Sequence, residues 1–277
     1  YKEFLDSAPS FQIYVAKQLK NDNFDTAKLF IPNVLNIPFK HTANGAFNKK
    51  GNKFFFTRCK ENLKGKMICK IYCTVKKNNI WQEALSLNNL INDDDNNFTS
   101  THPSIMSFKK GNRNKKEIEV LIYASNKPGG YGGYDLWSSI ISENLDCAKP
   151  INLGKNVNSP LNEVTPFYDS KNKFFFSSNG RGGFGGFDVF EASVRKGKIK
   201  KSKVMEQPIN SSWDDWYYNK MSNNSAFLSS NRSNSRSYHN EIRLDDIYYI
   251  TKQNKKYLKL NANFKDSLKN LINGVVF

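Results

Sequence analysis

The residues able to do chemistry are few and scattered. Three histidines, His41, His102 and His239, give a catalytic triad little material, and no Gly-x-Ser-x-Gly elbow supplies a nucleophile. Glu163, Asp214 and Asp215 are candidates for glycoside hydrolysis, which needs two carboxyl groups about 5–9 Å apart, but nothing in the sequence pairs them. The sialidase-type Asp box, Ser-x-Asp-x-Gly-x-x-Trp, is absent. Cys69 and Cys73 have a spacing that could hint at metal, yet no histidine lies near and no second cysteine pair completes a zinc set. Cys59 ends one expected strand and Cys69 begins the next, so a cross-hairpin disulfide and buried thiols both stay open; Cys147 stands apart. No catalytic residue, metal ligand or cofactor is assigned.

Two near-copies dominate the chain: YASNKPGGYGGYDLW at 123–137 and FSSNGRGGFGGFDVF at 176–190. Their glycines, Gly129, Gly130, Gly132 and Gly133, then Gly182, Gly183, Gly185 and Gly186, could cradle a phosphate. A phosphate loop, however, feeds a helix N-terminus, and these feed a strand. The expected role is a turn in which glycine permits positive φ. Asp135 and Asp188 recur at the turn exit, with Asp246 at the matching place later. A repeated aspartate suits capping of turn N–H groups better than catalysis, because an active site is needed once. Asn126, Asn179 and Asn231 read the same way.

The elements that position these residues repeat at about 50 residues, the period of a propeller blade. Phe56, Tyr123, Phe176 and Leu228 fall in register on short apolar strands bounded by turn residues. A strand precedes each and two follow, giving four antiparallel strands per repeat. The expected fold is an all-β propeller of four-stranded antiparallel blades, five recognisable over 1–36, 37–92, 93–158, 159–210 and 211–256, with a sixth able to precede residue 1. In the first, DSAPSF (6–11) reads as the first strand and IYVAKQLKNDNFDTAKLF (13–30) parallels IYCTVKKNNIWQEALSL (71–87). The second strand has no counterpart near residues 11–13, so a segment is expected to be missing from the sequence there. Residues 257–277 read as a closing strand or as the start of a following β-sandwich.

The net charge of +17 attracts polyanions in general, but it is spread out. Its densest run, RKGKIKKSK at 195–203, reads as a hairpin loop, and no repeated aromatic–basic platform suggests nucleic acid. No apolar stretch is long enough to span a membrane. The chain begins and ends mid-pattern and is taken as a fragment. Trp213-Asp214-Asp215-Trp216-Tyr217-Tyr218 is unusual: Trp213 and Trp216 suit either blade packing or a partner contact.

At SNKPGGYGGYDLW (125–137), SSNGRGGFGGFDVF (177–190), NSPLNEVTPFYDS (158–170) and SSNRSNSRSYHNEIRLDDIYYI (229–250) the chain resembles TolB-type WD40-like propeller repeats. More narrowly, it resembles those of Bacteroidota OmpA-family envelope proteins that join tetratricopeptide repeats, this propeller, a carboxypeptidase-regulatory-like sandwich and an OmpA-like domain. The second blade departs from the pattern at Thr57-Arg58-Cys59, and the fifth lacks its glycines. The resemblance implies a non-catalytic, periplasmic, outer-membrane-associated scaffold of the type IX secretion or gliding machinery. Its partners would be protein subunits of an envelope complex, with peptidoglycan bound only through domains outside this fragment. The alternative is a glycan-binding or glycan-processing propeller with its site in the central channel.

Overall fold

The computed structural model describes residues 10–19, 23–31, 33–37, 40–62, 65–110, 116–169, 171–233, 235, 237–238, 242–251, 257–260, 264–265 and 271–272. Their regular structure is entirely β, organised as the four-stranded antiparallel sheets of a β-propeller. The chain divides into two compact units, residues 1–101 with 262–277, and residues 102–261.

In the first unit, β1 (Tyr14–Val15) pairs with β2 (Lys28–Leu29). β3 (His41–Phe47), β4 (Lys53–Glu61) and β5 (Met67–Lys77) form an antiparallel meander, and β6 (Ile80–Trp81) and β7 (Leu85–Ser86) both return onto β5. The first repeat therefore shows two strands among the described residues; residues 6–9 of its expected first strand lie outside them. Its backbone is not stranded, since the Phe11 carbonyl accepts from the Thr42 amide at 2.8 Å. Phe54 and Phe56 on β4 close a core with Ile13 and Leu35. Cys59 and Cys69 lie directly opposite each other on β4 and β5 and form a disulfide. Cys73 and Cys147 are buried thiols outside it.

The second unit holds three sheets. The first is β8 (Ser100–Lys110), β9 (Lys116–Ser125), β10 (Asp135–Ile141) and β11 (Ile151–Asn152). The next is β12 (Glu163–Asp169), β13 (Lys173–Ser178) and β14 (Asp188–Arg195), with β15 (Lys198–Ile199) and β16 (Lys203–Val204) both on β14. The last is β17 (Asp215–Lys220) and β18 (Ser225–Ser230), a small hairpin of β19 (Ser237–Tyr238) with β20 (Ile242–Arg243), then β21 (Asp246–Thr251) and β22 (Tyr257–Leu260). Tyr257–Leu260 thus completes the last sheet, one strand beyond the expected boundary at 256. β23 (Phe264–Lys265) pairs with β24 (Leu271–Ile272); residues 273–277 of the expected sandwich strand lie outside the described residues.

Alternation explains how consecutive sheets in this unit adhere. Neighbouring strand residues point to opposite faces. Phe174 and Phe176 join Val120, Ile122 and Leu136 of the preceding sheet in one core, and Phe175 joins Tyr218, Ala226 and Leu228 of the following sheet in another. Each such phenylalanine is essentially fully buried, which contributes about 1.5–3 kcal/mol. Because β13 is buried on both faces, it reads as an unbroken apolar run rather than an alternating one.

Candidate functional site

Several of the expected motif residues, among them Gly132, Gly185, Asn179 and Asn231, sit at a seam, where the glycine loop of one sheet meets the entry to the next. The Asp188 carboxylate accepts from the Phe184 and Gly185 amides at 2.9 and 3.1 Å, and Asp135 accepts from the Tyr131 amide and from Asn152 Nδ2. Burial nonetheless raises the Asp188 pKa. Asp246 is buried opposite Ser230. Asn179 Oδ1 accepts from the Asn162 amide at 3.0 Å, and Asn231 Oδ1 from the Asp214 amide at 2.9 Å. Asn126 holds the equivalent place one repeat earlier.

The glycines are there mainly for close approach. Only Gly129 and Gly182, the first of each set, have positive φ, 89° and 71°. A β-carbon on Gly132 would collide with the backbone of Pro160 and Leu161, and one on Gly185 with that of Ser212 and Trp213. The loop of one sheet is thereby laid directly on the entry to the next. Gly133 N–H donates to the Leu161 carbonyl at 2.7 Å, and the Glu163 amide donates back to the Tyr134 carbonyl at 2.6 Å. Trp216 stacks on Phe187 at 5.2 Å within the seam, whereas Trp213 keeps 37 % of its surface exposed.

Two further repeated devices were missed in the sequence. Asn36, Asn92, Asn158 and Asn210 each grip the backbone of one upstream strand residue, accepting from its N–H and donating to its carbonyl; the residues gripped are Ile13, Ile71, Leu136 and Val189. Ile13 thus occupies the place of Ile71. Arg58, Arg181 and Arg232 lie over Tyr72, Phe190 and Tyr248 and donate to carbonyls just before or at those asparagines, namely Val34, Val157 and Ile209. Arg58, part of the apparent departure in the second blade, therefore keeps a role that the repeat preserves.

The candidate acids are occupied in the same seams. Glu163 is fully buried, and its carboxylate accepts from the Ser159 amide and hydroxyl at 2.7 and 2.5 Å and from the Ser178 hydroxyl at 2.6 Å. Burial, and then the nearby Asp135 charge, raise its pKa against those hydrogen bonds. Asp215, also fully buried, accepts from the Ser211 amide at 2.6 Å and is ion-paired to Arg232. Asp214 accepts from the Phe187 amide at 2.8 Å.

A different position gathers polar side chains of varied chemistry. The first strand of every complete sheet carries one non-glycine residue at left-handed φ: Asn44 at 31°, His102 at 53°, Thr165 at 49° and Tyr217 at 52°. Register shifts between Ala43 and Gly45, Val164 and Phe167, and Trp216 and Asn219 identify β-bulges at these points. Such a conformation costs about 1–3 kcal/mol and is a genuine outlier for a β-branched residue such as Thr165. The geometry repeats but the side chains do not: Asn, His, Thr and Tyr. In the second unit they meet. His102 Nε2 lies 2.8 Å from Tyr217 Oη, and the two rings are 5.4 Å apart. The Tyr217 amide donates to Thr165 Oγ1 at 3.4 Å, and the Thr165 hydroxyl donates to Ser177 Oγ at 3.1 Å. Burial lowers the His102 pKa to about 4, so its ring is neutral near pH 7. In the sequence His102 was only one of three histidines giving a catalytic triad little material. The available signal was proline: Pro103 and Pro166 each follow one of these left-handed residues.

No protein-family model and no curated protein matches the sequence. Solved structures of similar shape carry enzyme titles. The α-L-arabinofuranosidase Arb93A of Fusarium graminearum aligns at 10% identity and TM-score 0.49, over 96% of this chain and 73% of its own. An α-L-arabinofuranosidase from Lactobacillus brevis aligns at 10% identity and TM-score 0.44, over 84% and 75%. The Hadza microbial sialidase Hz136 aligns at 9% identity and TM-score 0.45, over 80% of this chain but only 46% of its own. At such identity the likeness concerns the fold and assigns no activity. It does correct one expectation. The motif resemblance implied a non-catalytic scaffold, whereas the solved structures found are titled as enzymes, so the non-enzymatic expectation is withdrawn.

Proposed function

We propose that the chain is a carbohydrate-handling propeller whose second unit engages an uncharged sugar at His102, Thr165 and Tyr217. The carrying observation is the bulge position, fixed in conformation along the first strands and varied in chemistry. A neutral imidazole, a phenol and an aliphatic hydroxyl present donors and acceptors with no net charge. A phosphate or carboxylate ligand would call for cations and a metal for carboxylates, whereas a polyol matches this set. Glu163 and Asp215 start the same strands two residues before Thr165 and Tyr217, but their carboxylates are committed to seam hydrogen bonds. Sugar binding is therefore the part of the reading that the geometry supports best.

Calorimetric titration with a panel of neutral oligosaccharides tests it. At least one should bind, and Tyr217→Phe, which removes the partner of His102, should weaken it about tenfold, the worth of one hydrogen bond to a buried group. Aryl glycosides assayed in parallel would extend the reading to processing if Tyr217→Phe abolishes their hydrolysis. Absence of saccharide binding, or equal binding by Tyr217→Phe, would sink the proposal.

A second reading rests on the exposed aromatic tips of the glycine loops. Tyr131 is 55 % and Phe184 45 % exposed, at matching places on consecutive sheets. With the motif resemblance, they support docking to protein subunits of a periplasmic, outer-membrane-associated complex. Photo-crosslinkers at 131 and 184 should then capture the same envelope subunit; capture of none would count against it.

A further inference from the structure

The basic run at 195–203 is absorbed neither by the seams nor by the sugar site. It forms the hairpin of β14 with β15, turning at Lys196 and Gly197, both at positive φ (51° and 72°). Arg195 and Lys198 are direct cross-strand partners. Like charges placed opposite each other destabilise a hairpin, so this arrangement opposes folding unless an anion offsets it. Lys200, Lys201 and Lys203 continue the run, and all six cations are exposed with no ion pair among the described residues. The Phe108 ring of the neighbouring sheet lies against Gly197 and pins the hairpin in place, bringing β8 with exposed Lys109 alongside. Glu191, the acid on the same strand, is already paired with Lys173.

We propose that this hairpin, with Lys109 beside it, docks the protein on a phosphate-bearing lipid surface. Four features favour a membrane over nucleic acid. The cations are nearly all lysine, a point charge without the guanidinium fork that reads base edges. Phe108, the aromatic residue of the pair, is half-buried against the turn and offers no base-stacking platform. An exposed hairpin tip is convex and meets a plane more readily than it encloses a strand. Charge complementarity to anionic headgroups acts on each lysine separately, about fivefold in partitioning per residue near the surface.

The test is co-sedimentation of the whole chain with phosphatidylcholine vesicles made with and without phosphatidylglycerol. Binding should require phosphatidylglycerol and weaken with salt. Replacing Lys196, Lys198, Lys200 and Lys201 by Gln should lower partitioning by at least about a hundredfold, and replacing them by Arg should not. The Gln variant relieves like-charge repulsion, so it should melt no lower than the parent. A control with Lys50, Lys60, Lys66 and Lys77 changed to Gln has the same net charge and should bind like the parent. Equal loss in both Gln variants would mean net charge alone governs binding, and would overturn the proposal. So would failure to sediment with phosphatidylglycerol, or a duplex DNA oligonucleotide displacing the protein from vesicles at equal phosphate.

Discussion

At the scale of single residues, the side chains that looked chemical are not the ones that the bulge positions bring together. Glu163 and Asp215 were conspicuous acids, yet serine hydroxyls and an arginine hold them. His102 was one histidine of a set too small for a triad, yet it pairs with a tyrosine 115 residues away. Their titrations act oppositely on stability. The His102 pKa falls from about 6.5 unfolded to about 4 folded, so between those values the unfolded state binds more protons and stability rises with pH. Glu163 has its pKa raised by burial, so the folded state binds more protons above the unfolded value of about 4.3, and stability is lost as pH climbs from there through the folded pKa. His102→Asn should therefore flatten denaturation midpoints between pH 4 and 6.5, by up to about 3 kcal/mol. Glu163→Gln, which can still accept from Ser159 and donate to Ser178, should lose less stability near neutral pH than near pH 4. Urea melts of the parent and both variants across that range check each sign. A His102→Asn profile parallel to the parent would show that the histidine is not held neutral.

At the scale of elements, the glycine hairpins do more than turn the chain. Gly129→Ala meets open space and must only accept positive φ, at a cost of roughly 1–2 kcal/mol. Gly185→Ala pushes into the backbone of Ser212 and Trp213 and should cost more, about 1–3 kcal/mol of overpacking plus weakened seam hydrogen bonds. Asn158→Ala leaves the N–H of Leu136 without its partner, while the Leu136 carbonyl keeps the Leu153 amide at 3.0 Å, and should cost about 1–3 kcal/mol. Chemical denaturation of the three variants should rank Gly129→Ala mildest; a Gly185→Ala protein as stable as Gly129→Ala would remove the close-approach argument. The hairpin and its register were legible because strand periodicity and glycine punctuation are local signals. The seam was not, because Asn158 and Leu136 are 22 residues apart and an asparagine in a polar loop looks like any other. The bulges escaped for a related reason: four different residues share one backbone geometry, and a sequence displays residues rather than geometry.

At the scale of the whole molecule, the repeat conceals a division that the sequence did not signal. The sheets follow one another with the same strand order, yet the chain falls into two compact units with their own cores. Sheet order was readable because each sheet is made of consecutive strands. The division was not, because it falls within the strand β8, between Thr101 and His102, and no linker composition marks it. The disulfide gives a handle on this, since Cys59 and Cys69 lie wholly within the first unit. Closing a loop of this length, 10 residues apart, should stabilise that unit by about 2–3 kcal/mol through its unfolded state. Scanning calorimetry should therefore resolve two transitions, and reductant should lower one of them while leaving the other in place. Thiol titration of the denatured chain should find two reactive cysteines before reduction and four after it. The transition that does not move should be the one shifted by Gly185→Ala, because that seam belongs to residues 102–261. If reductant and Gly185→Ala displace the same single transition, the two units melt as one cooperative body and the division has no thermodynamic meaning.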